Sequence, residues 1–371
     1  MKSKQRILSA LRGKEVDRIP WSPNLAYWWE AQNDEFTAGG EIEFLKSIGA
    51  DPLIRGHYPY YGKEWRDIIL YRTEYKSCSI KEIKGSSSKT IVYDTPKGNI
   101  SAVYRYSPSG NTWYLAEHPV KEEKDFKILA YLFEDMVIRP YYELYDEAAK
   151  KWGDDALLVP IVAPSPNLKT SFQSLLEYWV GTEELVYALA DYPEIVEEAL
   201  ESMKKVSLKT AEISAQSDAE AFISWEDTST TNISPDLYER YILPEINDWC
   251  RILHNYGKLY IQHACGHLKA LIPLMAKSDI DCIESISPPP TGNIELWQAR
   301  KVLPERIALI GGIEPTVFLE SDIDKLEKYV TELLEKLKGS RYILANSDSC
   351  PPGISLDKFN LVSKLVKEFN K

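Results

Sequence analysis

The sequence predicts an α/β chain wound as a (β/α)8 TIM barrel, interrupted by an antiparallel β insert in its N-terminal third. Three observations predict it. Eight short apolar runs recur, most of them followed by a segment with apolar spacing of three and four, the helical period. Polar residues gather immediately after these runs, where a barrel builds its active site. The length of 371 residues suits one large barrel or two ordinary domains. A doubly wound open sheet is the competing arrangement, because alternation of strand and helix does not by itself show closure.

In chain order, Ser3 can cap a first helix that Gly13 ends. The strands are expected near 19–25, 51–55, 156–163, 219–225, 258–263, 281–285, 307–311 and 341–345. From about Asp67 to Pro119 short alternating runs such as Thr90–Tyr93 and Ile100–Tyr106 are separated by Pro96-Lys-Gly98 and Ser107-Pro-Ser-Gly110. These are hairpin signals, so residues 67–119 read as an insert within one barrel domain covering 1–371. Helices are expected over 122–133, 140–152, 170–180, 183–190, 193–216 and 235–254, then one after each of the last three strands.

The chemistry centres on Lys258-Leu-Tyr-Ile-Gln-His263-Ala-Cys265-Gly266-His267. Residues i and i+2 of an extended chain project to one side, so His263 and Cys265 can bind one metal ion together. Cys350, in Ser347-Asp-Ser-Cys350-Pro-Pro, follows the eighth run and is the third expected ligand. Two thiolates and an imidazole suit Zn²⁺, and three protein ligands with one open position form the catalytic arrangement. The bland alternative is that these are a buried thiol pair and a hydrogen-bonded histidine. Glu226 is the nearest expected carboxylate, either as a fourth ligand or general acid or as a salt-bridge or capping residue; Asp227 reads as a hydrogen-bonding orienter. Glu284 also reads as structural, and Cys78, Cys250 and Cys282 as core.

Asn24, Tyr27 and Trp28 follow the first run, and His57, Tyr58 and Tyr60 the second. At a barrel mouth these side chains either pack a cap or sandwich a flat ligand. A net charge of −12 and a pI near 5.1, with no basic stripe, argue against nucleic acid as a partner. Five cysteines, an odd number without framework spacing, suggest reduced thiols and a cytoplasmic setting. The basic N-terminus has no long apolar core behind it, and no run is long enough to span a bilayer.

The chain resembles the uroporphyrinogen decarboxylase superfamily, in its zinc-dependent methyltransferase branch. The resemblance rests on Arg6-Ile-Leu-Ser-Ala-Leu-Arg-Gly13, Asp17-Arg-Ile-Pro20, Ser234-Pro-Asp-Leu-Tyr-Glu-Arg-Tyr-Ile-Leu-Pro244, His263-Ala-Cys265-Gly266, Gly311-Gly-Ile-Glu-Pro315 and Ser349-Cys350-Pro-Pro. It implies a (β/α)8 barrel. The decarboxylases carry an arginine-rich segment after the first strand that binds substrate carboxylates; here that place reads Trp21-Ser-Pro-Asn-Leu-Ala-Tyr-Trp-Trp29, without arginine. A decarboxylase-like lyase is therefore the more distant alternative.

Within the methyltransferase branch the resemblance implies transfer of a methyl group to or from a corrinoid (cobalamin) on a separate protein. Zinc there either activates an acceptor thiol such as coenzyme M or polarises a methyl-ether oxygen. The β insert and Thr95-Pro-Lys-Gly98 resemble the O-demethylase enzymes, which implies a small methoxylated aromatic substrate and attack of Co(I) on its methyl carbon. The chain lacks an Asp-x-His-x-x-Gly segment for ligating cobalamin, so the corrinoid is expected on the partner, docking over the barrel mouth.

Overall fold

Eight parallel segments follow one another round a ring in the computed structural model, which describes residues 1–57, 66–108 and 112–369. Strands Ala221–Trp225, Leu259–His263, Cys282–Ile286, Ala308–Ile313 and Tyr342–Asn346 pair in that order, all parallel. Leu53–Arg55 pairs in parallel with Leu157–Val159. Ile161 bridges in parallel to Ile223, joining the two sets on one side. On the other, Trp21 bridges to Leu344, and the Asp51 N–H donates to the Trp21 carbonyl at 2.6 Å. Backbone hydrogen bonds therefore close the ring, as the alternating pattern predicts.

The strand residues are almost wholly buried, as strands wrapped by helices on one side and packed within on the other must be. Asp51 anchors the closure. Its buried carboxylate accepts from Arg18 at 2.7 Å and from the Trp21 N–H at 3.2 Å, and Arg6 joins it to Asp17. The Arg6…Asp17-Arg-Ile-Pro20 motif is thus a scaffold that seats the first segment against the second.

The chain divides into two compact units, Met1–Leu70 with Tyr142–Val162 and Ser217–Lys371, and Tyr71–Tyr141 with Ala163–Gln216. The first contains all eight ring segments. In the second, Ser79–Lys84, Ser88–Thr95, Gly98–Ser107 and Thr112–Glu117 form a four-stranded antiparallel sheet. The Thr95–Gly98 turn is tight: the Thr95 hydroxyl donates to the Gly98 carbonyl at 2.8 Å, and Gly98 has φ +130. Tyr71–Tyr75 pairs with Met136–Pro140, and helices Glu123–Glu134 and Pro193–Ala215 pack together. No helix among the described residues is long and apolar enough to cross a membrane.

Candidate metal centre and active-site cavity

The chain segments that follow strands Ala221–Trp225, Leu259–His263 and Tyr342–Asn346 converge on one cavity of about 390 Å³. Asn24, Tyr27, Glu30, Trp225, Asp227, His263, Asp348 and Ser349 line it. The His-x-Cys spacing works as the extended backbone requires. His263 ends its strand, buried, and Cys265 follows on the same side, half-buried. Gly266 then turns the chain at φ +83, and a Cβ there would stand 2.9 Å from the Ser229 side chain. Only glycine meets both demands.

Asp227, His263 and Cys265 offer ligand atoms that all lie within 4.8 Å of one another, the only such group among the described residues. Cys265 Sγ is 3.5 Å from Asp227 Oδ1, and His263 Nε2 is 3.9 Å from the same oxygen. Tetrahedral zinc with arms of roughly 2.0–2.3 Å places its ligands about 3.3–3.8 Å apart. A thiol, an imidazole and a carboxylate at this spacing fit the ion in donor chemistry and in separation.

The other ring nitrogen faces inward. His263 Nδ1 is 3.3 Å from Ser285 Oγ and 3.7 Å from Glu284 Oε2. Ser285 is an extra residue in its strand, at a register shift against the next strand, with φ +77. That left-handed conformation in a non-glycine residue is a strained backbone beside the site. The Trp225 ring meets the imidazole edge-on at 5.0 Å.

Burial opposes protonation of His263, but Cys265 and Glu284 outweigh it and hold the imidazolium pKa well above its ordinary value. Burial pushes the Cys265 thiol up, with His263 acting in the opposite direction. Tyr27 is also pushed up, first by burial and then by the fields of Asp348, Glu30 and Asp227.

The remaining expected site residues are distributed differently. Asn24 and Tyr27 line the cavity. Trp28 does not: it is 2% exposed, its indole N–H donates to the Ile354 carbonyl, and its ring stacks on Phe44 at 5.1 Å. His57 is buried, with Nε2 at 2.6 Å from Glu41 and Nδ1 at 3.1 Å from the Arg55 carbonyl. Tyr58 and Tyr60 lie outside the described residues. Glu226 is fully buried within the electrostatic reach of Tyr238 and Tyr260, and does not line the cavity. Cys350 is fully buried; its N–H donates to the Asn24 carbonyl, its carbonyl accepts from Trp28 N–H, and its sulfur lies outside the three-donor group.

Sequence reasoning passed over Glu30 and Asp348 in the cavity wall. Asp348 stands in a polar cluster after the last run, which was the available signal. Its Oδ1 is 4.0 Å from His263 Nε2.

Parallel barrel, convergent strand ends and a donor group in a cavity together define an enzyme of the α/β-barrel class. The uroporphyrinogen decarboxylase (URO-D) family matches residues 169–369, more than half of the chain. The protein belongs to that family. Among solved structures it is similar to a methyltransferase from Methanosarcina mazei, at 15% identity and TM-score 0.63 over the whole of both chains. It is also similar to a B12-independent methionine synthase from Shewanella sp. W3-18-1, at 9% identity and TM-score 0.47, covering 95% of this chain and 97% of that one. No curated protein matches the sequence.

Proposed function

We propose that the chain is a zinc-dependent methyltransferase that moves a methyl group from a small methoxylated aromatic to the Co(I) corrinoid of a separate protein. The observation that carries this reading is the Asp227–His263–Cys265 group opening into a cavity walled by Tyr27 and Trp225. An ether methyl is a poor electrophile because phenolate leaves reluctantly, and a zinc ion there would supply Lewis-acid polarisation of the ether oxygen. The chain's own part is to bind and orient. Tyr27 and Trp225 offer faces for a flat ring and Asn24 a polar contact. Glu226 is the proposed acid–base group, and Cys350 the proposed further thiolate ligand.

The cavity's charge supports the ether over the alternatives. Its acidic lining residues are Glu30, Asp227 and Asp348, with no lysine or arginine among the described residues. A porphyrinogen polycarboxylate, or the sulfonate of coenzyme M, would meet carboxylates of its own sign. A neutral methoxyarene meets no such penalty. The corrinoid protein docks where the methyl group faces out, and the five free cysteines accord with the cytoplasm as the proposed compartment.

The test is metal content followed by two assays. One zinc per chain and methyl transfer from guaiacol-type ethers to Co(I) cobalamin are expected. Rapid consumption of methylcobalamin with coenzyme M, and no reaction with ethers, would overturn the demethylase reading.

A further inference from the structure

A buried ion pair stands directly behind the metal-facing histidine. Arg55 gives its Nε to Glu284 Oε1, its Nη1 to the Leu53 carbonyl at 3.0 Å and its Nη2 to the Ser22 carbonyl at 2.9 Å. Every nitrogen of the guanidinium is therefore committed, and Oε1 of Glu284 is pinned. Oε2 of the same carboxylate is buried and has no hydrogen-bond partner among the described residues. Its neighbour is His263 Nδ1, 3.7 Å away, on the side of the ring opposite to the donor group. A buried carboxylate oxygen is costly unless a donor is delivered to it.

Two groups face Nδ1, and only Glu284 dictates the tautomer. The Ser285 hydroxyl can either donate to Nδ1 or accept from it through its second lone pair. Ser285 Oγ, at 3.3 Å, already accepts the Asp348 N–H at 2.9 Å, so its own hydrogen is free to point at Nδ1. That arrangement would leave the proton on Nε2, where it blocks ligation. Glu284 can only accept. It requires the proton on Nδ1 and leaves the Nε2 lone pair facing Asp227 and Cys265. The carboxylate is also held by Arg55, so it cannot turn away.

We propose that Glu284, locked by Arg55, is the positioning residue that keeps the His263 proton on Nδ1 and so presents Nε2 to the metal. This rests on the zinc reading above, but concerns residues that do not touch the ion. Carboxylates behind ligating histidines typically contribute 10- to 100-fold in metal affinity, and that is the effect expected here.

The experiment compares zinc affinity, by chelator competition, in the wild-type chain, Glu284→Gln, Ser285→Ala and the charge-neutral pair Arg55→Gln/Glu284→Gln. The pair is included because Arg55 alone would be a buried unmatched charge, and the single variant could fail to fold. Both variants lacking the Glu284 carboxylate should bind zinc roughly 10- to 100-fold more weakly, whereas Ser285→Ala should stay near wild type. Nitrogen-15 imidazole spectra of the zinc-loaded chain, assigned with His263→Asn, should show the His263 proton on Nδ1. A proton on Nε2, or wild-type affinity in a folded variant without the carboxylate, would overturn the positioning role while leaving the zinc reading intact. A wild-type chain that binds no zinc would overturn both.

Discussion

His263 Nε2 and Asp227 Oδ1 stand 3.9 Å apart across the floor of the cavity, too far for a hydrogen bond and close to the separation of two ligands on one zinc ion. Cys265 Sγ, 3.5 Å from the same oxygen, completes a triangle of three different donor types. Their net charge balances a dication, since one thiolate and one carboxylate offset both of its charges.

This geometry separates two donors that are easily confused. Asp227→Asn keeps the side-chain shape but removes the anionic ligand, so zinc affinity should fall and methyl transfer with it. Cys350→Ser should strip the metal only if that sulfur ligates in the loaded enzyme. Metal analysis of both purified variants, with circular dichroism as the folding control, reads the result. Full zinc occupancy in Cys350→Ser would remove Cys350 from the site.

The ring itself was legible in the sequence because its strands are bounded apolar runs, and each of the eight expected positions contains a paired segment. The His263 and Cys265 pair was legible for the same local reason, two positions on one side of an extended chain. The approach of Asp227 to that pair was not. It depends on the path of a separate loop, and Asp348 at φ +69 shows how far another loop at the cavity departs from regular backbone. The strand Met136–Pro140 was hidden too. It is short, ends in Arg-Pro and is half-buried or exposed, so no periodicity announces it. Its partner Tyr71–Tyr75 lies over sixty residues earlier, a pairing that local pattern cannot supply.

Glu226 tests the acid–base assignment. It is fully buried and outside the three-donor group, so Glu226→Gln should retain zinc. If it moves a proton in the reaction, turnover falls by roughly 10²- to 10⁴-fold, the usual contribution of general acid–base catalysis. That loss is the expected outcome. Unchanged turnover would make Glu226 a structural carboxylate.

Acid stability should report on the antiparallel unit through Asp135. Burial works against its ionisation, yet the Ser77 and Cys78 N–H groups at 2.9 and 2.8 Å and the Ser77 hydroxyl at 2.7 Å outweigh it. They hold the carboxyl well below its ordinary value of about 3.9. A depressed folded-state pKa gives stability that is complete above the unfolded value and lost as pH falls through the folded one. Asp135→Ala should therefore lower stability at neutral pH by about 1–3 kcal/mol and flatten the acid limb below pH ~4. Denaturant titrations at several pH values check this; an unchanged acid limb would exclude Asp135 as its source. The neighbouring Cys78 thiol, pushed up to about 11 by burial and by Asp135, stays protonated throughout.

Tyr27 and Trp28, adjacent in sequence, should separate binding from folding. On the short helix Ala26–Glu30 their side chains leave on different faces. Tyr27 is 63% exposed and lines the cavity, whereas Trp28 is 2% exposed among Phe36, Phe44 and Phe359, with ring centroids at 5.7, 5.1 and 5.0 Å. Removing the exposed ring gives up little packing, so Tyr27→Ala should leave the melting temperature nearly unchanged. It should raise KM for a methoxyarene, because the lost contact is with the ligand's flat face. Trp28→Ala empties a filled aromatic cluster and orphans the Ile354 carbonyl that the indole N–H satisfies. Such truncations cost about 3–5 kcal/mol, enough to lower stability sharply while KM of the surviving folded fraction changes little. Thermal melts and Michaelis curves on the two variants measure both quantities. A raised KM in Trp28→Ala with unaltered stability would place that indole at the ligand instead of the core.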